Sequence, residues 1–204
     1  MSVGAVIIAG PKDRANAYRL ARTLFDRVDE LYIDTYPGGA ARARNHGFQT
    51  VKTDILWFLD GDLAAVEGDL MYPAGDPSSD YWLPGDWGIA PQADTWWTRV
   101  SVWGTRHWGR AYGFCWGPMF ALRRNRFTEM AQGPFDPTAM WEDTSFSLHL
   151  IRHRHSFALA PVKPILGRAT TPPWPYFLPG DHASSKYKPD PSLNSGNRMD
   201  RVNP

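Results

Sequence analysis

Residues 54–64 read DILWFLDGDLA, and this stretch places five consecutive apolar residues directly before two aspartates. A short apolar run bounded by turn-forming residues is typical of a strand that is buried on both faces of a sheet. The run ends at Asp60, Gly61 and Asp62, so two carboxylates lie where the buried segment ends. Because an ionised carboxylate is costly to bury alone, both side chains need a partner at the end of this strand.

The chain before residue 54 begins with a strand pattern followed by a helix pattern. VGAVIIAG, at residues 3–10, is β-branched and apolar, and Gly10 and Pro11 interrupt it. These features predict a buried strand that ends in a loop. A helix is predicted next, with Asp13 as its N-cap. Its apolar face would consist of Ala17, Leu20, Ala21, Leu24, Phe25 and Val28.

The same alternation repeats before the opening stretch. ELYIDT, at residues 30–35, predicts a second strand that ends on Asp34, and AARARNHGFQTV, at residues 40–51, predicts a second helix. Arg42, Arg44 and Asn45 are expected on the outward side of that helix. A strand–helix–strand–helix–strand order predicts an α/β fold of the Rossmann-like kind, with a mostly parallel sheet flanked by helices in a single compact domain. Ligands of such sheets bind at the carboxyl ends of the strands, where Asp34, Asp60 and Asp62 would lie.

The second half of the chain has weaker patterns. Residues 63–97 are rich in Gly, Pro and Asp and are expected to form irregular connections. AYGFCWGPMFALRR predicts a strand, RNRFTEMAQ a short helix, WEDTSFSLHLIRHR another helix and HSFALAPV a last buried strand. The tail is dense in Pro, Ser, Asn and Gly. The expected organisation is therefore one domain at residues 1–183 and a loosely ordered tail at residues 184–204.

The composition of the chain restricts the cellular location that can be expected. The longest apolar runs fall far short of the roughly 20 residues that a membrane-spanning helix needs, so no membrane span is expected. The N-terminus lacks the pattern of a secretory signal, and a cytoplasmic location is expected, which is the host cytoplasm if the protein is phage-encoded. Cys115 is the only cysteine and is expected to be a small buried apolar residue.

Charge is unevenly distributed along the chain. Residues 1–94 carry 8 Lys and Arg against 14 Asp and Glu, a net charge of −6, whereas residues 95–204 carry 14 against 7, a net charge of +7. Within residues 96–116, Arg side chains alternate with Trp96, Trp97, Trp103, Trp108 and Trp116. Aromatic rings interleaved with Arg can stack on sugars, or on nucleic-acid bases whose phosphates the guanidinium groups bind. The alternative for this stretch is that the Trp residues are ordinary core and the Arg residues bind phosphates of a donor. The alternative for the basic half as a whole is a solvated surface.

Asp60 and Asp62 also suggest a metal site. Two aspartates around one glycine are most often a simple turn, but their position after a buried strand would deliver both carboxylates to the edge of a parallel sheet. Hard cations such as Mn²⁺ and Mg²⁺ accept carboxylate oxygens together with phosphate oxygens. The spacing is therefore compatible with a cation that binds a phosphorylated ligand.

Four motifs in order resemble a known family. GAVIIAG, LYIDT, ARARNHGFQTVKTDILWFLDGD and GPFDPTAMWEDTSFSLHL resemble the series found in GT-A glycosyltransferases, specifically the large family-2-like group. The resemblance covers residues 3–160. It departs from the family pattern in one place, because the second strand runs into the ARN motif with almost no intervening segment.

The resemblance implies a set of roles. It implies a metal-dependent, inverting glycosyltransferase that moves a sugar from a nucleoside-diphosphate sugar, with a UDP-sugar favoured, to an acceptor hydroxyl. Asp143 would be the general base within the Glu142-Asp143 pair. The metal, Mn²⁺ or Mg²⁺, would be held by Asp60, Asp62 and His182. The donor would be bound by Gly10, Pro11, Asp34, Arg44, Asn45, Asp60 and Gly61.

The basic, aromatic half of the chain suggests the chemical nature of the acceptor. Its charge suggests a polyanion, and the hypothesis is a hydroxymethylated base in phage DNA, which would have to be flipped out of the duplex. Two other functions stay open. A sugar nucleotidyltransferase would use a related fold, and a non-catalytic nucleic-acid-binding module would explain the basic half but not the aspartates.

Overall fold

The predicted strand–helix alternation is present in the first 60 residues. The computed structural model describes residues 1–35, 38–127, 133–138 and 142–169. Strand β1 spans Val3–Ile8, helix α1 spans Arg14–Leu24, strand β2 spans Glu30–Asp34, helix α2 spans Ala40–Thr50 and strand β3 spans Ile55–Asp60. Strand β1 pairs in parallel with both β2 and β3, which confirms the parallel unit predicted from the sequence.

The remaining elements complete the domain. They are β4 (Leu63–Gly68), β5 (Tyr81–Pro84), β6 (Gly88–Ile89), α3 (Trp96–Tyr112), β7 (Met119–Arg123), α4 (Glu142–Arg152), β8 (Phe157–Ala160) and β9 (Val162–Leu166). The main sheet has the order β2-β1-β3-β7-β5-β8. Only β7 runs against the other strands of this sheet, so the sheet is mostly parallel, as predicted. A smaller sheet has the order β4-β9-β6.

Alternation along the central strands separates the core into two layers. In β3, Ile55, Trp57 and Leu59 pack with α1 and with residues of the small sheet, whereas Leu56 and Phe58 pack with α2 and α4. Successive side chains of a strand point to opposite faces, so both faces of β3 are covered. Continuous burial explains why ILWFL is apolar without a polar alternation. The described elements form one compact α/β domain.

Two predictions for the second half are wrong. Residues 63–97 contain β4, β5 and β6 instead of irregular connections alone, because these short strands pair with β9 and β8 from the far end of the chain. Residues 111–124 were expected to form one strand, but Ala111 and Tyr112 end helix α3 and only Met119–Arg123 form β7. Helix α3 itself and strand β9 were not predicted.

The remaining predictions are either tested by the structure or concern residues that it does not describe. Helix α4 is confirmed, and Cys115 is buried as expected. Strand β8 is present where predicted, but it is mostly half-buried and is followed by β9, so it is not the last buried strand. Arg124–Arg126 form one 3-10 helix, whose C-cap is Phe127, while residues 128–132 of the predicted helix lie outside the described residues. The tail at residues 184–204 also lies outside the described residues, and the domain boundary at residue 183 stays a prediction. Within the described ranges, no helix has the length and apolar character needed to cross a membrane.

Candidate active site

Three parallel strands bring their carboxyl ends to one edge of the main sheet. Ile8, the last residue of β1, is in register with Asp34 of β2 on one side and with Asp60 of β3 on the other. Backbone bonds extend this alignment beyond the strands, since Ala9 N–H donates to Asp34 O over 2.9 Å and Gly61 N–H donates to Ile8 O over 2.6 Å. Asp34 and Asp60 therefore flank the end of β1, as the strand pattern predicts.

Gly61 allows the chain to turn closely beside β1. A Cβ atom at this position would lie 2.9 Å from Ile8 O and 3.1 Å from Ala9 Cα, which is too close without a backbone shift. The glycine between the two aspartates is thus required by packing. It carries Asp62 to the surface, where its side chain is about one-third exposed.

Arg44 lies beneath the carboxylates. Its side chain is 1% exposed, and its guanidinium donates to Asp60 Oδ1 over 3.0 Å, to Gly117 O over 2.9 Å and to Glu142 Oε1. The expectation that Arg44 and Asn45 lie on the outward side of their helix is wrong, because both are buried. Arg44 instead joins α2, β3 and α4 through one buried cation.

Electrostatics at this edge are dominated by negative charge. Burial raises the pKa of Asp60 to about 7; Arg44 opposes this shift, and Asp62, Glu142 and Asp143 add to it. Burial also raises the pKa of Asp62, with a contribution from Asp13, while Arg168 lowers it. Burial acts to lower the pKa of Arg44, but the neighbouring carboxylates outweigh burial and raise it. We call Asp34, Asp60, Asp62, Glu142 and Asp143 the carboxylate edge.

Asn45 connects helix α2 to the turn before α4. Its Nδ2 donates to Phe135 O over 2.6 Å, and its Oδ1 accepts from Phe135 N–H over 2.9 Å. Gly133 has a φ of +97°, and a Cβ atom there would lie 2.6 Å from Asn45 Cγ. The ARN and GPFD motifs therefore form one structural unit. The side chains of Arg44 and Asn45 have protein partners, so their contact with a donor stays a prediction.

The Glu142-Asp143 pair opens helix α4 and faces the end of β3. Asp143 Oδ2 accepts from Gly117 N–H over 2.9 Å and Oδ1 accepts from Thr144 N–H over 2.7 Å. Glu142 is bound to Arg44. A Cβ atom at Gly117 would lie 2.9 Å from Asp143 Oδ2, so this position must remain open for the carboxylate to dock.

The expected donor residues occupy different environments. Gly10 and Pro11 are exposed in the loop after β1, where Asp13 N–H donates to Gly10 O over 2.9 Å. Asp34 is buried, and its Oδ2 is 2.7 Å from His46 Nδ1. His182, the third expected metal ligand, lies outside the described residues.

Sequence reasoning missed three contributors to this site. His46 contacts Asp34, Gly117 contacts both Arg44 and Asp143, and Arg168 pairs with Asp13 and lies 4.0 Å from Asp62. The Gly117-Pro118 turn was a usable signal, because Gly-Pro marks a break just before a strand. No local pattern marks Arg168, whose partners are distant in sequence.

A divalent cation is compatible with these residues. No group of three or more His, Cys, Asp or Glu side chains in the described part of the chain is arranged to hold a metal ion. However, Asp60, Glu142 and Asp143 lie around the buried Arg44 guanidinium, and Asp62 adds to the negative charge at Asp60, so this excess of negative charge favours a cation. Two carboxylates suffice for Mg²⁺ or Mn²⁺ when phosphate oxygens and water complete the coordination.

The basic half of the chain largely neutralises the acidic half. Two segments without acidic residues, 95–128 and 144–180, contain ten Arg and Lys. Five of them pair with carboxylates of the first half: Arg99–Asp94, Arg106–Asp86, Arg126–Asp80, Lys163–Glu67 and Arg168–Asp13. Three more, Arg110, Arg123 and Arg124, donate to backbone carbonyls. In the folded protein, charges of the two halves therefore lie next to one another, and much of the charge asymmetry seen along the sequence is neutralised.

Comparisons with known proteins identify the fold. No protein-family model and no curated protein sequence matches the chain. Glucosyl-3-phosphoglycerate synthase from Mycobacterium tuberculosis, solved with Mn²⁺, uridine diphosphate and glucosyl-3-phosphoglycerate, superposes with a TM-score of 0.54 at 14% identity, over 86% of this chain and 74% of that one. The same enzyme with Mg²⁺ and uridine diphosphate gives a TM-score of 0.53 at 13% identity, over 86% and 73%.

A further solved structure agrees. A protein described only as mycobacterial gives a TM-score of 0.53 at 13% identity, over 84% of this chain and 68% of that one. Identities this low establish the fold and not the activity. The chain has the GT-A fold of nucleotide-sugar-dependent glycosyltransferases, as its motif order predicts.

Proposed function

We propose that this protein is a metal-dependent glycosyltransferase that uses a nucleoside-diphosphate sugar as its donor. The observation that carries this proposal is the carboxylate edge, where Asp60 and Asp62 lie at the end of β3 and buried Arg44 joins Asp60 to Glu142 of the Glu142-Asp143 pair. A fold alone supports many functions, so the argument rests on this cluster. A non-catalytic nucleic-acid-binding module would not need three carboxylates around one buried guanidinium.

Asp60 and Asp62 would hold Mn²⁺ or Mg²⁺, with His182 as a further proposed ligand. When bound, such an ion supplies Lewis-acid stabilisation of the charge on the departing diphosphate, a contribution of several kcal/mol. Arg44 keeps the Asp60 carboxylate in place from below. Gly61 positions Asp62 by letting the chain turn against β1.

The donor nucleoside would occupy the loop at Gly10 and Pro11 and the end of β2. The loop backbone is exposed beside the strand ends, and His46 orients the Asp34 carboxylate. We propose a UDP-sugar as donor, since the similar mycobacterial synthase was solved with uridine diphosphate.

Asp143 is our proposed general base for an inverting transfer. Two backbone N–H groups fix its carboxylate, and because an ionised carboxylate can accept more than two hydrogen bonds, it retains acceptor capacity for the proton of a sugar-accepting hydroxyl. Glu142 is held by Arg44 and would orient the start of α4 instead of taking the proton. Proton transfer to a positioned base contributes typically 10²- to 10⁴-fold to the rate.

A hydroxymethylated base in DNA gains no support as the acceptor. Polyanion binding requires cationic side chains that are available to phosphates, and most of the relevant Arg residues are already paired. A sugar nucleotidyltransferase remains the alternative enzyme class, and the reaction products distinguish it.

The test is a screen of nucleotide sugars for Mn²⁺-dependent release of nucleoside diphosphate. Wild type is compared with Asp62→Ala, Asp143→Asn and the control Asp26→Asn, which changes an exposed aspartate. We expect Asp62→Ala to abolish donor use and Asp143→Asn to retain donor binding but lose transfer. Equal activity in all four proteins would contradict the proposal. Pyrophosphate release from a nucleoside triphosphate and a sugar phosphate would assign the alternative.

A further inference from the structure

Helix α3 has an unusual distribution of side chains. Its buried positions hold small residues, namely Thr98, Val102 and Gly109, whereas its solvent side carries the large aromatic ones. Trp96 is 71% exposed, Trp103 66%, Tyr112 56% and Trp108 54%. A helix on a protein surface normally places its apolar stripe against the core and polar residues outside. Exposed aromatic residues concentrated on one element indicate a binding surface.

Part of this helix forms one wall of an open cleft. The cleft has a volume of about 430 Å³, within the usual range for small-molecule sites. We call it the aromatic cleft, and it is lined by Trp87, Ile89, Asp94, Arg99, Val102, Trp103 and Arg106. Trp103 contributes a large exposed ring to this wall. Trp108, on the same helix, does not line the cleft.

Polar groups in the aromatic cleft are held in pairs. Arg99 donates to Asp94 through Nε over 2.6 Å and through Nη2 over 2.7 Å. Arg106 pairs with Asp86 over 2.5 Å and donates to Trp87 O. Each pair places a guanidinium donor next to a carboxylate acceptor and has little net charge. This arrangement suits neighbouring hydroxyl groups, which both donate and accept hydrogen bonds.

The cleft is connected to the carboxylate edge by aromatic contacts. The Trp87 ring, which lines the cleft, lies 5.0 Å from the Trp116 ring. Trp116 immediately precedes Gly117, whose N–H donates to Asp143 and whose carbonyl accepts from Arg44. The contacts from the cleft to the proposed base therefore run through Trp87, Trp116 and the backbone of Gly117.

We propose that the aromatic cleft binds a sugar ring of the acceptor, so that the acceptor is a saccharide. This inference rests on the proposed glycosyltransferase function and adds the substrate class. The C–H face of a sugar ring stacks on Trp103, and its hydroxyls bond to the Asp94–Arg99 pair. The pairing argues against a phosphate ligand, because Asp94 and Asp86 neutralise the two arginines that a phosphate would need.

Binding of oligosaccharides tests the assignment without donor or metal. Gluco-, manno-, galacto- and xylo-oligosaccharides are titrated into the protein, and binding is followed by calorimetry and tryptophan fluorescence. We expect at least one series to bind the wild type, and Trp103→Ala to weaken that binding roughly tenfold or more through the lost stacking contact. Trp108→Ala is the matched control, since it removes a similarly exposed ring of the same helix from outside the cleft, and it should bind as the wild type does.

Three results would overturn the assignment. They are no binding of any series by the wild type at millimolar concentration, equal weakening by Trp103→Ala and Trp108→Ala, and binding to phosphatidylcholine–phosphatidylglycerol vesicles that both substitutions abolish. The last result would assign the outer face of α3 to a membrane surface. Asp62→Ala separates this inference from the proposed function, because it should lose donor use and retain oligosaccharide binding. Failure of one assay therefore leaves the other interpretable.

Discussion

The carboxylate edge and helix α3 place their distinctive side chains in opposite environments. At the carboxylate edge, polar groups are buried or half-buried and bonded to one another through Arg44, Asn45 and Gly117. On α3, apolar rings face solvent while small residues pack inside. The first site is organised before any ligand arrives, which favours exact positioning of reacting groups. The aromatic rings on the outer face of α3 become buried only when a ligand binds to them.

The two regions should consequently respond differently to substitution. Changes at the carboxylate edge should reduce stability and activity together, because the same bonds serve both. Changes on the outer face of α3 should affect binding with little loss of stability. Three substitutions test this contrast and a fourth, at Asp76, serves as a comparison outside both regions; the expected effects decrease from the first to the last.

Arg44→Met should have the largest effect. It removes the buried cation and leaves Asp60 and Glu142 without their partner, which typically costs about 3–5 kcal/mol for a buried ion pair. The free energy of unfolding is measured by urea denaturation at pH 7. Arg42→Met is the control, since Arg42 is exposed on the same helix and should change stability by no more than about 0.5 kcal/mol. Equal effects of the two substitutions would show that Arg44 is not the centre of the site.

Gly133→Ala should destabilise the turn that carries the second motif. The residue has a φ of +97°, and an added Cβ would overlap Asn45, which must then lose its bonds to Phe135. Left-handed strain together with a lost buried hydrogen bond predicts a loss of about 2–4 kcal/mol in urea unfolding. Gly75→Ala has no atom within 4 Å of the added Cβ and should be close to neutral. If Gly133→Ala left the free energy of unfolding unchanged, the bonds of Asn45 to the turn at Gly133 would not be what holds the ARN and GPFD motifs together.

The sequence predicted the carboxylate edge better than it predicted α3. Strand and helix periodicities identify where β1, β2 and β3 end, and parallel strands must bring those ends together, so Asp34 and Asp60 could be placed in advance. The burial of Arg44 could not be predicted, because its partners Asp60 and Glu142 lie 16 and 98 residues away in the sequence. Helical periodicity carries no information about such distant partners.

Helix α3 was missed for a related reason. Its residues repeat with helical spacing, but Gly104, Gly109 and its Thr and Val residues lower its intrinsic helix propensity. Strands β4, β5 and β6 are short and are stabilised by pairing with β9 and β8, which is a long-range effect. Local patterns predict an element reliably only where intrinsic propensity and long-range contacts favour the same structure.

Asp76→Asn tests a carboxylate outside both regions. Asp76 Oδ1 accepts from Ser78 and Oδ2 accepts from Ser79 over 2.6 Å and from buried Trp82 Nε1 over 2.9 Å. Burial opposes ionisation, but these hydrogen bonds outweigh it and lower the pKa of Asp76. Because the native pKa lies below the unfolded one, this stabilisation is present above about pH 4 and is lost as the pH falls towards the native pKa.

We expect Asp76→Asn to lower the free energy of unfolding by about 1–3 kcal/mol at pH 7, since Asn cannot accept at both positions. The difference from wild type should shrink when urea unfolding is repeated near pH 3. Asp26→Asn, at an exposed site, is the control and should stay within about 0.5 kcal/mol of wild type at both values. A difference that is independent of pH would show that the ionised carboxylate is not what stabilises the start of β5.

Gly104→Ala should have the smallest effect and the opposite sign from Gly133→Ala. Gly104 lies inside α3, and an added Cβ there would have no atom within 4 Å. Alanine loses less conformational entropy than glycine in a helix, which predicts a gain of about 0.5–1 kcal/mol in urea unfolding. Since the added methyl does not line the aromatic cleft, oligosaccharide binding should be unchanged. A loss of stability at Gly104 would mean that the outer side of α3 is itself packed against another part of the chain, and the contrast between the two regions would then fail.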